Sequence, residues 1–234
     1  IKKAAAIAPA DAAVKPGYYA VKPGDTLIRI GLDHGQNWRD IIRWNTIENP
    51  NLIEVGQVLR VLPPSGESAP EAVVVKPVTS PGSVTSGQEI PANTENTTSA
   101  KSPSNAATET TEEVMAFGWP AAGSVQSTFD EAKNKGIDIA GKLGDSVMAA
   151  ADGRVVYAGA GLRGYGNLII LKHNNNYLTA YAHNQTLLVR EEQSVKKGQK
   201  IAEMGNSESE QIKLHFEIRK QGKPIDPIKL LPNR

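Results

Sequence analysis

The residues best suited to chemistry in this chain are an aspartate and two histidines. Asp138 lies in the stretch NKGIDIAG, residues 134–141, among small and apolar residues. A carboxylate there needs a hydrogen-bond donor, a cation or a metal, because burying it alone is costly. His183 and His215 each lie in a segment that alternates polar and apolar residues, which predicts strands with one polar face. Spacing alone leaves a shared Asp/His/His site and three unrelated residues both open.

A second motif, the run GAGLRGYG at residues 159–166, matches the G-x-G-x-x-G pattern of dinucleotide-binding loops. That pattern needs a following helix to hold a pyrophosphate, whereas residues 167–171 are predicted to form a strand. We therefore interpret its glycines as a loop between strands.

The elements that must position these residues fall into separate segments. We place an N-terminal extension at 1–17, a compact module at 18–62, a low-complexity linker at 63–113 and a β-rich domain at 114–234. Residues 1–62, 63–113 and 114–234 carry net charges of +2, −5 and +4, and this change of sign supports the division. Neither end is basic enough to indicate nucleic acid as a partner.

The first module is predicted to have the order β-α-α-β. Residues 18–21 and 57–61 are the two strands, Asp25 is the predicted N-cap of the first helix and Asn37 that of the second. The linker is rich in Ser, Thr, Pro and Glu and has no aromatic residue, so it is predicted to be a flexible tether.

The C-terminal segment has short apolar runs separated by Gly or Asn turns, which predicts an all-β domain. The expected strands are Arg154–Ala158, Asn167–Lys172, Tyr177–His183, Gln199–Met204 and Lys213–Arg219. The chain has no cysteine, which excludes disulfides, a thiolate nucleophile and cysteine-ligated zinc.

Residues 18–62, with YAVKPGDTL and VGQVLRV, resemble a LysM module. The resemblance implies binding of glycans that contain N-acetylglucosamine, mostly peptidoglycan. It places the glycan-binding groove between a turn and a loop, at Gly24, Asp25, Thr26, Asn51, Leu52 and Ile53. The alternative is that the module only packs on its neighbour.

Residues 114–234, with GIDIAG, DGRVVYAG, YAHN and LHFEIR, resemble the lysostaphin-type (LytM) zinc endopeptidases. The resemblance implies an antiparallel-β fold, so the fold class is mainly β. It aligns Asp138 and His215 with zinc ligands and His183 with a catalytic histidine. However, Asn134 stands at a zinc ligand and Lys213 at the other catalytic histidine.

These substitutions predict a remnant site with no metal, no cofactor and no catalysis. One ligand of four contributes about 3 kcal/mol to zinc binding, and loss of a general acid or base costs a further factor of about 10²–10⁴. We therefore expect Asp138 to pair with Lys213, Lys135 or His215.

The combination of a LysM module, a tether and a degenerate LytM domain is similar to the NlpD-type activators of bacterial cell-wall amidases. The resemblance implies a non-catalytic activator of a periplasmic N-acetylmuramoyl-L-alanine amidase in cell division. The amidase would bind the vacated cleft, for which we predict the lining Asn134, Lys135, Asp138, Tyr165, Tyr181, His183, Lys213, His215 and Arg219. A residual zinc endopeptidase and a passive peptidoglycan anchor are the alternatives.

The resemblance also implies a periplasmic location, with the full-length protein tethered to the outer membrane as a lipoprotein. That anchor needs a cysteine at the mature N-terminus, so the sequence was trimmed behind it or the protein is not lipidated.

Overall fold

A computed structural model describes residues 15–64 and 115–233 of the 234-residue chain. These two stretches belong to one compact unit. Nearly all of the predicted N-terminal extension and linker lies outside the described residues. No helix in 15–64 or 115–233 is long and apolar enough to cross a membrane.

The first stretch has the predicted β-α-α-β order. Its two strands pair antiparallel, and the buried side chains between them and the helices include Ile30, Ile41 and Leu59. The elements are β1 (Tyr18–Ala20), α1 (Leu27–His34), α2 (Trp38–Asn45) and β2 (Val58–Arg60).

The N-cap of α1 is one residue later than predicted. Thr26, not Asp25, accepts a hydrogen bond from the amide of Arg29 at 3.2 Å. The Asp25 carboxylate is already used by the preceding turn, where it accepts from the Lys22 amide at 2.9 Å and the Tyr19 hydroxyl at 2.7 Å. The predicted cap of α2 is confirmed, since the Asn37 side chain accepts from the amide of Arg39 at 3.0 Å.

The second stretch is an antiparallel β structure, as expected. The elements are β3 (Val125–Ser127), β4 (Ile137–Ala140), β5 (Ser146–Met148), β6 (Gly153–Gly159), β7 (Asn167–Lys172), β8 (Tyr177–Leu187), β9 (Ser194–Val195), β10 (Lys200–Met204), β11 (Lys213–Lys220), β12 (Lys223–Ile225) and a 3-10 helix (Pro227–Lys229). The main path of paired strands runs β3-β4-β11-β8-β7-β6-β9, with β10 joined to β5 and β8, and β12 joined to β11. The glycine-rich run lies between β6 and β7, so its interpretation as a loop between strands is confirmed.

One face of this sheet covers the core of the domain. Tyr181 on β8 and Phe216 on β11 are both fully buried there, with their rings 5.3 Å apart between centroids. Alternation along β8 therefore directs Leu178, Ala180 and Ala182 to the opposite face.

That opposite face, which we call the docking face, packs against the two helices of the first module. One buried cluster joins Leu32 of α1 to side chains of the sheet, among them Leu168, Ile170, Leu178, Ala180 and Ala182. Ile28 and Trp38 of the module pack against this cluster. Burying apolar side chains from both stretches stabilises this contact by about 25 cal/mol per Å² removed from water. The module thus packs on its neighbour, which leaves both alternatives from the sequence open, since packing does not exclude glycan binding.

The turn between β11 and β12 also contacts the module closely. A Cβ atom on Gly222, whose φ is +80°, would lie 2.1 Å from the carbonyl oxygen of Asp33 at the end of α1. The contact therefore requires glycine at this position for both its backbone conformation and its lack of a side chain.

Candidate functional site

Asp138 lies at the centre of the candidate site, on β4 next to β11. Its neighbours Ile137 and Ile139 are fully buried in the core, and alternation turns the Asp138 side chain to the other side of the sheet. The register sets Asp138 directly opposite His215 and His215 opposite Ala182. All three residues consequently share the docking face.

The carboxylate of Asp138 is paired at both oxygens. Lys213 Nζ lies 2.8 Å from Oδ2 and His215 Nδ1 lies 2.8 Å from Oδ1. The predicted ion pair is thus confirmed for Lys213 and His215, whereas Lys135 donates to the carbonyl of Glu131. Burial alone would raise the pKa of Asp138, but the hydrogen bonds from His215 and Lys213 outweigh it and lower the pKa to about 2.

His215 contacts a carboxylate with each ring nitrogen. Besides Asp138, it meets Glu217 through Nε2, 3.1 Å from Oε1. Because an ionised carboxylate only accepts hydrogen bonds, both nitrogens donate and the ring is an imidazolium. Burial would lower the pKa of His215, but the two acids outweigh it and raise the pKa to about 9.

Glu217 extends these contacts toward the first module. It is fully buried, and its Oε2 accepts from Arg219 Nε at 2.6 Å. Arg219 in turn reaches Asp33 of α1, with Nη1 2.8 Å from Oδ1. We call this series the ion-pair chain. Its formal charges alternate in sign and sum to zero along Lys213, Asp138, His215, Glu217, Arg219 and Asp33.

The Tyr165 hydroxyl caps the middle of the ion-pair chain by donating to Glu217 Oε1 at 2.8 Å. Burial by itself would raise the pKa of Glu217, but its contacts with His215 and Arg219 outweigh it and lower the pKa to about 2. Burial and the nearby Glu217 charge raise the pKa of the Tyr165 hydroxyl, so it remains a donor across the physiological range.

His183 joins the site through an irregularity in β8. Strict alternation would place it on the core face with Tyr181. Instead, β8 contains a bulge. It has two residues between the pairs Tyr181–Ile169 and Asn184–Asn167, whereas β7 has one residue there. His183 is one of the two, and its φ is +64°. This bulge brings the His183 ring centroid to 6.1 Å from that of His215.

The two histidines differ in protonation. His183 Nδ1 lies 2.8 Å from the carbonyl oxygen of Ser207, which can only accept, so Nδ1 carries the proton. Burial lowers the pKa of His183. A neutral imidazole therefore lies beside a charged one.

The residues present do not fit a zinc ion. Both nitrogens of His215 are used as donors, so neither has a lone pair for a metal, and Lys213 brings an ammonium to Asp138. The Asn134 side-chain amide donates to the carbonyl of Thr128 at 3.0 Å. Within residues 15–64 and 115–233, no group of three or more His, Cys, Asp or Glu side chains could hold a metal ion.

Two of the predicted cleft residues are closed to solvent. Tyr181 is 0% exposed in the core, where its hydroxyl accepts from the Ala150 amide, and Arg219 is 2% exposed against α1. Neither can line an open cleft, because alternation buries the first and the module covers the second. Sequence reasoning did not include Glu217 and Asp33 in the site, although Glu217 shares the alternating polar pattern with Lys213 and His215.

The predicted glycan groove coincides in part with a cavity of about 270 Å³. Asp25, Thr26, Asn51 and Ile53 line it, whereas Gly24 and the highly exposed Leu52 are not among its lining residues. The other lining residues are Leu27, Ile28, Trp38, Pro50 and Gly161.

Family profiles match both stretches of the chain. The LysM domain profile matches residues 19–62, and the profile of Peptidase family M23 matches residues 132–227. Together with the β-α-α-β module and the antiparallel sheet, these matches define a protein with a LysM module and a lysostaphin-like domain.

Curated relatives are similar along most of the chain. Murein hydrolase activator NlpD of Escherichia coli K12 is 42% identical, and the alignment covers 90% of this chain and 66% of that protein. Lipoprotein NlpD/LppB homolog of Pseudomonas aeruginosa is 44% identical over 90% of this chain and 75% of that protein. Outer membrane antigenic lipoprotein B of Histophilus somni is 40% identical over 86% and 63%. The chain belongs to the NlpD family, and it spans about two thirds of the length of the E. coli relative.

Proposed function

We propose that this protein is a non-catalytic activator of a periplasmic N-acetylmuramoyl-L-alanine amidase. In this proposal, the LysM module binds peptidoglycan, the lysostaphin-like domain binds the amidase, and the activated amidase splits the wall during division. The name of the E. coli relative, murein hydrolase activator, supports a regulatory role. The names of the other relatives, which are lipoproteins, support a periplasmic location tethered to the outer membrane.

The observation that carries the proposal is the internal neutralisation of the remnant site. Lys213 and His215 occupy both oxygens of Asp138, and Glu217 occupies the remaining nitrogen of His215. An endopeptidase of the lysostaphin type needs these groups for zinc and water. Here the ion-pair chain uses them to hold one another, which leaves a rigid polar surface in place of a catalyst.

The surface that remains available to an amidase is smaller than the predicted cleft. Asn134 and Lys135 are half-buried on the loop before β4, and the Lys213 side chain is 23% exposed. We propose that these three, together with His183 and Tyr165, contact the amidase. A cleft shaped for a peptide can accept a segment of a protein partner once catalysis is lost.

The test is release of dye from labelled peptidoglycan by the amidase alone, by this protein alone, and by both together. We expect dye release to exceed that of the amidase alone only when both proteins are present. A Lys135→Glu variant should reduce the gain, whereas Lys196→Glu, at an exposed lysine that is paired with Asp152 outside the ion-pair chain, should keep it.

Two other results would contradict the proposal. Release by this protein alone, together with stoichiometric zinc in the purified protein, would indicate a residual endopeptidase. Pull-down by peptidoglycan with no effect on the amidase would indicate a passive anchor.

A further inference from the structure

The cavity near the predicted glycan groove is built by both domains. Gly161, in the loop between β6 and β7 of the lysostaphin-like domain, lines it together with residues of the LysM module. We propose that this cavity is a two-domain sugar pocket, so that glycan binding by LysM is linked to docking of LysM on the sheet. The inference rests on the proposed binding of peptidoglycan.

The contact at Gly161 is direct. A Cβ atom placed there would lie 3.4 Å from Ile28 Cδ1 of α1 and 2.9 Å from the Tyr157 hydroxyl. The Gly161 amide donates to that hydroxyl at 2.6 Å, and Tyr157 is 6% exposed. A buried tyrosine therefore fixes the loop that forms the far wall of the cavity.

The lining has the chemistry of a sugar site. Ile28 and Ile53 offer apolar surface for the face of a pyranose ring, while Asp25, Thr26 and Asn51 offer polar groups for hydroxyl and acetamido substituents. The cavity volume of about 270 Å³ lies just below the roughly 300–1,000 Å³ of sites for drug-sized ligands, which is consistent with one or two sugar rings.

Trp38 lines the cavity as well. Its half-buried indole ring offers a further flat apolar surface for a sugar face.

Trp38 also connects the cavity to the docking face, because it packs against the buried cluster that includes Leu32 and Ala180. A ligand that contacts Trp38, Ile28 and Gly161 together binds the docked arrangement and not the separated one. Such a ligand must favour docking, and docking must raise the affinity for the ligand by the same factor.

The experiment measures binding of the tetramer of β-1,4-linked N-acetylglucosamine to the full chain by calorimetry. Gly161→Trp fills the cavity without changing the LysM module, and we expect its affinity to fall by at least about tenfold, as for the loss of a close apolar contact. Arg163→Trp is the matched control, because Arg163 lies in the same loop, is exposed and does not line the cavity. Its affinity should change by less than about twofold.

A second pair of variants tests the linkage away from the cavity. Gly222→Ala places a methyl group against Asp33 and should separate the two domains, whereas Gly198→Ala has a similar φ of +77° and open space around its Cβ position. We expect weaker binding of the tetramer in Gly222→Ala only. If Gly161→Trp does not fold, this pair of variants still tests whether glycan binding depends on docking.

The outcomes separate the pocket from the function on which it rests. Unchanged affinity in Gly161→Trp, or equal affinity in the two alanine variants, would overturn the two-domain pocket and leave glycan binding by LysM intact. Failure of the unmodified protein to bind the tetramer would overturn both.

Discussion

The candidate site of the lysostaphin-like domain and the cavity beside the LysM module differ in how their polar groups are used. In the candidate site, Asp138, His215 and Glu217 each contact groups of opposite charge or hydrogen-bond donors. In the cavity, Thr26 and Asn51 line open space beside the apolar Ile28 and Ile53. A site whose polar groups are paired with one another is stable without a ligand, whereas a cavity with polar and apolar lining is suited to a small ligand.

The largest expected effect comes from breaking the ion-pair chain at its buried centre. Glu217→Ala leaves Arg219 and His215 without their shared carboxylate, and removal of one partner from a buried ion pair costs about 3–5 kcal/mol. We expect the free energy of unfolding, measured with urea, to fall by that amount. Asp40→Ala, which removes an exposed pair with Arg43, is the control and should cost less than about 1 kcal/mol. Equal losses would show that the chain is not structural.

The next effect concerns the contact between the domains. Leu32→Ala removes a side chain that is 2% exposed in the docking cluster, and such truncations cost about 2–5 kcal/mol. We expect a lower melting temperature and two resolved calorimetric transitions, because the module would unfold separately. Leu52→Ala, at a side chain that is 71% exposed, should leave a single transition. A single transition in both variants would show that docking does not depend on this cluster.

The charge of His215 predicts a pH dependence. Its pKa is raised to about 9, so the stabilisation from its protonated form is complete below the unfolded value of about 6.5 and is lost as pH rises through about 9. The shift corresponds to roughly 3 kcal/mol. Proton NMR of the imidazole should show His215 charged at neutral pH while His183, whose pKa is lowered, titrates below its ordinary range. Titration of both rings near pH 6.5 would contradict the ion-pair chain.

The smallest effect is expected from removal of a single hydrogen bond to the ion-pair chain. Tyr165→Phe removes only the hydrogen bond to Glu217, and a bond to a charged group contributes about 1.5–3 kcal/mol. Stability should fall by that amount while binding of the N-acetylglucosamine tetramer is unchanged. A change in tetramer binding instead would mean that Tyr165 belongs to the sugar pocket.

Most elements could be predicted from local patterns. Asn167–Lys172 was predicted with the bounds that the structure has, and the β-α-α-β order of the module follows from its turns and apolar spacing. The cap of α1 was predicted one residue early because Asp25 and Thr26 are both good capping residues. In the structure, Lys22 and Tyr19 donate hydrogen bonds to Asp25 in the turn. Thr26 is therefore the residue left to cap the helix.

The candidate site was predicted less completely. His215 could be named in advance as one of three candidate partners of Asp138, with Lys213 and Lys135, because a buried carboxylate requires a partner. Strand alternation does not predict the position of His183. A bulge with positive φ in β8 brings its ring close to His215. Tyr181 was placed beside it by the same rule that fails at this bulge, and it lies in the core.

By itself the sequence determined the two folds and the need of Asp138 for a hydrogen-bond donor, a cation or a metal, because these depend on residue identity and short-range pattern. The tertiary structure alone decided that Arg219 meets Asp33, that LysM covers the docking face and that Gly161 completes the cavity. These contacts join residues more than 100 positions apart, and their geometry depends on how two surfaces pack, which spacing along the chain does not encode.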